Sequence, residues 1–161
     1  MNNFQHQHTA HCESGVMSTM LKAQGVDFNE AMVFGLASAL TFVYIPLVKV
    51  NGMPLISYRM PPKSIIKNVA KRLKVRLKIQ KFRAPQAGQE ALDLALAENK
   101  LVGLQTSVFW LPYFPPEMRF HFNAHNLIVY GKEHNDYLIS DPVFESVQRC
   151  TAEDLRRARF A

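Results

Sequence analysis

Acidic residues are absent from more than a third of this chain: between Ala31 and Gln89 there is no aspartate or glutamate, while eleven lysines and arginines fall there. The rest of the chain holds eight basic and thirteen acidic residues, so this one stretch supplies the whole positive excess of +6. Such a segment attracts an anionic partner: nucleic acid, an anionic membrane surface or an acidic protein. It is also what a merely solvated face looks like. Cysteine is scarce. Cys12 and Cys150 are the only two in 161 residues, which excludes a disulfide framework. No basic region followed by an apolar stretch opens the chain, so no signal peptide is expected. Both thiols should be reduced, in a cytoplasmic protein. No Cys-x2-Cys pair accompanies the cluster of His6, His8, His11 and Cys12, or the pair His121 and His125, so no metal site is expected. Repeats and low-complexity tracts are missing too, and the length suits one domain over residues 1–161.

One long uncharged run requires a membrane check. Residues 31–48 carry no charge but include Gly35, Ser38, Thr41 and Pro46. The run sits at the short limit for a membrane span. A buried helix followed by a buried strand is the better reading, with no transmembrane segment.

With 48% hydrophobic residues the chain can bury a core. Val16, Met17, Met20 and Leu21 recur at helical spacing, so Cys12 to Gln24 reads as a helix ended by Gly25. Asp27 and Glu30 resemble a capping box for a second helix. Thr41 to Val50 reads as a buried strand, Asn51-Gly52 as a turn and Met53 to Tyr58 as the returning strand. Ser64 suits the cap of a third helix. Strict alternation from Leu73 to Ile79 predicts a half-buried strand whose outer face carries Lys74, Arg76 and Lys78. Gln86 to Asn99 reads as a helix, Leu101 to Phe109 as a strand, and Leu111 to Asn123 as a loop. Strands follow at Asn126 to Tyr130 and Tyr137 to Ser140, joined by a turn, and a short helix begins at Thr151. Helices come mainly first and antiparallel strands later, an α+β pattern.

Cys12 stands at the first turn of its helix, where free N–H groups and the helix dipole favour thiolate over thiol. A cysteine nucleophile also requires a base and an orienting group. His125 opens the strand HNLIVYG, and Asp141 ends the returning strand YLISDP. If the strands pair, the two side chains meet at one sheet edge, and the carboxylate can fix the imidazole tautomer. From the residues alone, His125 and Asp141 read more readily as surface caps, and Cys12 as a small buried apolar group. Cys150 reads as structural.

The segments FQHQHTAHCESGVMSTMLKAQG, EAMVFGLASALTFVY, VFWLPYF and HNLIVYGKEHNDYLISDP resemble the N-terminal domain of the butirosin biosynthesis protein H family. The resemblance covers nearly the whole chain, and its final hairpin is also similar to bacteriocin-processing peptidases and other papain-like folds. It implies a papain-like α+β domain with helices packed on an antiparallel sheet, with Cys12 as nucleophile, His125 as base and Asp141 as orienter. The residue six positions before the cysteine, His6, would add a side-chain donor to the oxyanion site, beside the Cys12 N–H. The implied chemistry is transfer of an acyl group from an acyl carrier protein, through acyl-Cys12, to an amine or hydroxyl acceptor. No resident cofactor is implied, because acyl-phosphopantetheine arrives on the carrier.

The expected partners are therefore an acidic acyl carrier protein, docked by Lys74, Arg76 and Lys78, and a small-molecule acceptor. Nucleic acid is not among them, and self-association stays open. Trp110 and Tyr113, in the aromatic loop, are candidates for lining the substrate cleft, or for a packed corner. Two other functions stay open: a cysteine peptidase or amidase, which uses water as acceptor, and a catalytically silent module that binds an acidic protein. Members of the family continue into a C-terminal region expected to help form the acceptor site.

Overall fold

Regular structure begins at Cys12. Helix α1 (Cys12–Lys22) is capped by His11 and buried on most sides. Ser14, Gly15 and Ser18 are buried along with Val16, Met17 and Leu21, so small residues let neighbouring elements approach the helix closely. The protein is described by a computed structural model covering residues 4–50, 52–121 and 123–160. Gly25, at φ 83°, turns the chain out of α1, and the Val26 N–H returns to the Leu21 carbonyl at 3.0 Å. Helix α2 (Glu30–Leu36) follows. Its cap is Asn29, whose side chain accepts the Met32 N–H at 2.8 Å. The expected cap, Asp27, lies too far upstream to reach that donor.

Strands β1 (Leu40–Val50) and β2 (Met53–Arg59) form a two-stranded antiparallel hairpin of their own. The expectation of a buried strand over 41–50 is overturned: Phe42 is 66% exposed and Leu47 93%. An apolar run signals burial only when another layer covers it, and this sheet has only two strands. Asn51, half of the expected turn, lies outside the described residues, as do residues 1–3 and 161 of the expected single domain.

Helix α3 (Ser64–Leu73) places Ile65, Val69 and Ala70 against α1 and α2. Ser64 is not its cap. Lys63 holds that position without a side-chain bond, and the buried Glu13 of α1 accepts the Ile66 N–H at 3.2 Å instead. A carboxylate from another helix thus meets the positive end of α3. After α3 the chain turns at Lys74, φ 55°, and residues 75–80 form no strand. The predicted strand at 73–79 fails because no neighbour offers a ladder, and Val75, Leu77 and Ile79 stay between 38% and 52% exposed.

Helix α4 (Pro85–Ala97) leads into a four-stranded antiparallel sheet in the order β3 (Val102–Thr106), β4 (His125–Glu133), β5 (Asp136–Ser140), β6 (Gln148–Thr151). The sequence gives little sign of β6, a four-residue edge strand. Helix α5 (Ala152–Phe160) closes the chain. Leu92 of α4 and Leu155 of α5 pack on Leu127, Val129, Tyr137 and Ile139 of the sheet. Cys150 lies in this core, and burial pushes its thiol up to about 12, so it is chemically inert. Among the described residues, no helix is long and apolar enough to cross a membrane.

Candidate active site

Cys12, His125 and Asp141 converge from opposite ends of the chain. Cys12 is the first residue of α1, His125 the first of β4, and Asp141 follows the last residue of β5. Pairing of β4 with β5 sets Ile128 opposite Ser140, which brings the start of one strand to the end of the other. His125 Nε2 donates to Asp141 Oδ2 at 2.7 Å. That leaves Nδ1 as the ring nitrogen for Cys12, whose thiol and imidazole are hydrogen-bonded.

Asp141 is fully buried, and its oxygens are well occupied. Oδ2 also accepts the Tyr113 O–H at 2.9 Å, and Oδ1 accepts the Val143 N–H at 3.3 Å. A buried carboxylate needs such donors to stay ionised. Burial, followed by the Asp141 charge, holds the Tyr113 phenol well above its usual range, so it remains a donor. Phe114 stands edge-on to the His125 ring with centroids 5.3 Å apart, which fixes the ring plane.

Burial alone would raise the Cys12 thiol. The His125 hydrogen bond and charge, with bonds from Asn126, outweigh that effect and lower it. Burial would likewise lower His125, but the Asp141 and Cys12 bonds carry it up to about 9. The two shifts stabilise one state, thiolate beside imidazolium, which is the nucleophilic form.

A second network shapes the turn into α1. One Glu30 carboxylate accepts the Ala10 N–H at 3.0 Å, the His11 N–H at 2.7 Å and the Ser14 O–H at 3.1 Å. The Arg59 guanidinium donates to His11 Nε2, and His11 Nδ1 lies 3.0 Å from Ser14 Oγ. Burial, then Arg59, lowers the His11 imidazole, so it serves as a neutral link. The two residues ahead of Cys12 are thereby pinned.

The other expected site residues fall differently. His6 lies by Asp141, but its ring is committed: Nε2 donates to the Phe144 carbonyl at 2.9 Å, and Nδ1 meets Ser140 Oγ at 2.7 Å. It ties the N-terminal segment to the end of β5, and neither ring nitrogen remains for an oxyanion. Asn126, which the sequence reading passed over, is the side chain that reaches the thiol, with Nδ2 3.9 Å from Cys12 Sγ. Its adjacency to His125 was the available signal. Tyr113 spends its hydroxyl on Asp141 rather than facing a cleft. Trp110 packs on the sheet core with Arg157 over its ring. Lys74, Arg76 and Lys78 are exposed on the irregular segment after α3.

Gly15 seats α1 against the Asp141 loop. A Cβ there would meet Thr9 Oγ1 at 2.0 Å and Pro142 Cβ at 2.8 Å, while the Thr9 N–H donates to the Pro142 carbonyl at 2.7 Å. Gly15→Ala should therefore lower stability by about 1–3 kcal/mol, read as a reduced urea midpoint. An unchanged midpoint would mean that the two segments are not in contact.

The sequence profile described as butirosin biosynthesis protein H, N-terminal, matches residues 11–142. No curated protein sequence matches the chain. Two solved structures are similar in fold. One is a C39-like peptidase from Bacillus anthracis, at 13% identity and TM-score 0.71, covering 99% of this chain and 90% of that one. The other is the peptidase domain of Streptococcus ComA, a bi-functional ABC transporter of a quorum-sensing pathway, at 16% identity and TM-score 0.58, covering 97% and 92%. The fold is thus the papain-like α+β arrangement of C39-like peptidases.

Proposed function

We propose that this chain, which belongs to the butirosin biosynthesis protein H N-terminal family, is a cysteine acyltransferase acting through an acyl-Cys12 thioester. The observation that carries the reading is the hydrogen-bonded line Cys12–His125–Asp141, with the thiol lowered and the imidazole raised. Transfer from an acyl carrier protein rests on the family resemblance. In the first step the Cys12 thiolate attacks the thioester carbonyl of a carrier-bound acyl group. The new S–C bond forms, the bond to the phosphopantetheine sulfur breaks, and His125 gives its proton to the leaving thiolate. In the second step an acceptor amine or hydroxyl attacks acyl-Cys12, neutral His125 takes its proton, and the thiolate is released. Both steps pass through an oxyanion. We assign its donors as the Cys12 backbone N–H, at a helix start, and Asn126 Nδ2, in place of His6. The carrier docks on Lys74, Arg76 and Lys78, an exposed cationic segment opposite in charge to an acidic protein. A small-molecule acceptor and the acyl chain complete the site, with no resident cofactor.

The fold shared with C39-like peptidases favours a second reading, in which water takes the acyl or peptidyl group from Cys12.

Intact-mass measurement after incubation with an acyl-carrier thioester tests both readings. The expected result is an acyl adduct that is absent in Cys12→Ala and is discharged by an amine acceptor. Charge reversal at Lys74, Arg76 and Lys78 should slow loading by about tenfold or more. An adduct persisting in Cys12→Ala would refute the nucleophile. Rapid discharge into water alone would establish the hydrolase.

A further inference from the structure

We infer that the β1–β2 hairpin, with the lysines that follow it in sequence, forms a docking surface for an anionic lipid bilayer. In an antiparallel pair, opposed residues share a face. Tyr44 lies opposite Ile56, and the Phe42 and Tyr58 rings are 5.7 Å apart. These four side chains form one apolar, aromatic-rich face that is 49–66% exposed. The opposite face, with Val43, Leu55 and Ser57, is half-buried. At the far end, Leu47, Val48 and Met53 are also exposed. A contiguous apolar face of this kind marks an interaction site.

Charge selects the occupant. Lys49 lies on the hairpin, and Lys63, Lys67 and Lys71 recur at four-residue spacing just after it, all of them exposed. No acidic residue occurs from 31 to 89. A second copy related by a two-fold axis would bring the same patch against itself, setting lysine against lysine with no carboxylate in the stretch to offset it. Lysine is a flexible point charge, suited to mobile anionic headgroups, whose surface attracts polybasic segments. Tyrosine settles at headgroup depth, ring in the apolar layer and polar tip in water, with phenylalanine beside it in the apolar layer. A two-stranded sheet with open edges does not span a bilayer, so the hairpin lies along the interface.

Co-sedimentation of the full chain with phosphatidylcholine vesicles, with or without about 30% phosphatidylglycerol, tests this. The expected result is binding to the anionic vesicles alone, released by about 0.5 M salt. Phe42→Ser with Tyr58→Ser should weaken it at least about tenfold. Lys63→Glu, Lys67→Glu and Lys71→Glu together should do the same. The thermal midpoint and the Cys12 alkylation rate of both variants report an intact fold. Equal binding to neutral vesicles, no binding, or unaltered binding by either variant would overturn the inference. So would a dimer in light scattering that the aromatic variant dissociates, which would make the face a self-interface. Loss of carrier loading in the aromatic variant with vesicle binding retained would also overturn it, assigning the face to the carrier. Vesicle binding does not depend on the acyl-transfer reading, so each can fail alone.

Discussion

Asp141→Asn should slow Cys12-dependent acyl loading by about 10³–10⁴-fold while the chain still folds. The substitution keeps the shape and removes the acceptor. Asp141 Oδ2 receives two donors, the His125 Nε2–H and the Tyr113 O–H, and an amide NH₂ at that position would confront both. The imidazole escapes by moving its proton to Nδ1 and accepting through Nε2. It then presents N–H to Cys12, and a neutral ring carrying that proton can neither take the thiol proton nor form the imidazolium. Single-turnover loading followed by intact mass measures the loss, and a melting curve separates it from unfolding. A loss below about tenfold would remove Asp141 from the site.

His125→Ala should convert Cys12 from a reactive thiolate to an inert thiol. Two forces act on this group in opposite directions: burial raises it, and His125, aided by Asn126, lowers it below 9.0. Removing the imidazole leaves burial in control. Iodoacetamide alkylation of Cys12 near pH 6.5 should then fall roughly 100-fold. The sign of the pH dependence follows from the same pair. Cys12 is protonated below its lowered value, and His125 loses its proton above about 9. Loading should therefore rise on the acid side, hold across neutrality and fall as pH passes about 9. Alkylation, which needs no proton donor, should not fall on the alkaline side. A wild-type alkylation profile matching that of an ordinary free thiol would refute the ion pair.

The convergence of Cys12, His125 and Asp141 was legible in the sequence because each of them sits at a local boundary signal. Cys12 begins a periodic apolar segment, and His125 and Asp141 bracket a hairpin. Its supporting side chains were not legible. Tyr113 reaches Asp141, and Glu30 reaches the turn before Cys12, only through tertiary packing that no spacing rule encodes. His6 misled for a related reason: its position relative to Cys12 suggested a donor, but both ring nitrogens are taken by residues more than 130 positions away. The misread strands share one cause. Apolar character at 41–50 and alternation at 73–79 report what a segment could bury, whereas burial depends on whether another layer arrives. For β1 no layer covers the outer face, and for 75–80 no strand lies alongside.

The distance along the chain between Cys12 and its partners also times the appearance of reactivity. Asn126 and Cys12 are 114 residues apart, so Cys12 leaves the ribosome well before β4. Contacts of such span form late, after most loop-closure entropy has been spent. Until then Cys12 is a thiol without an imidazole, chemically quiet toward cellular thioesters and electrophiles. On the proposed reading, Cys12 is translated first and meets its imidazole last, and any excursion that lifts the sheet from α1 separates the two again.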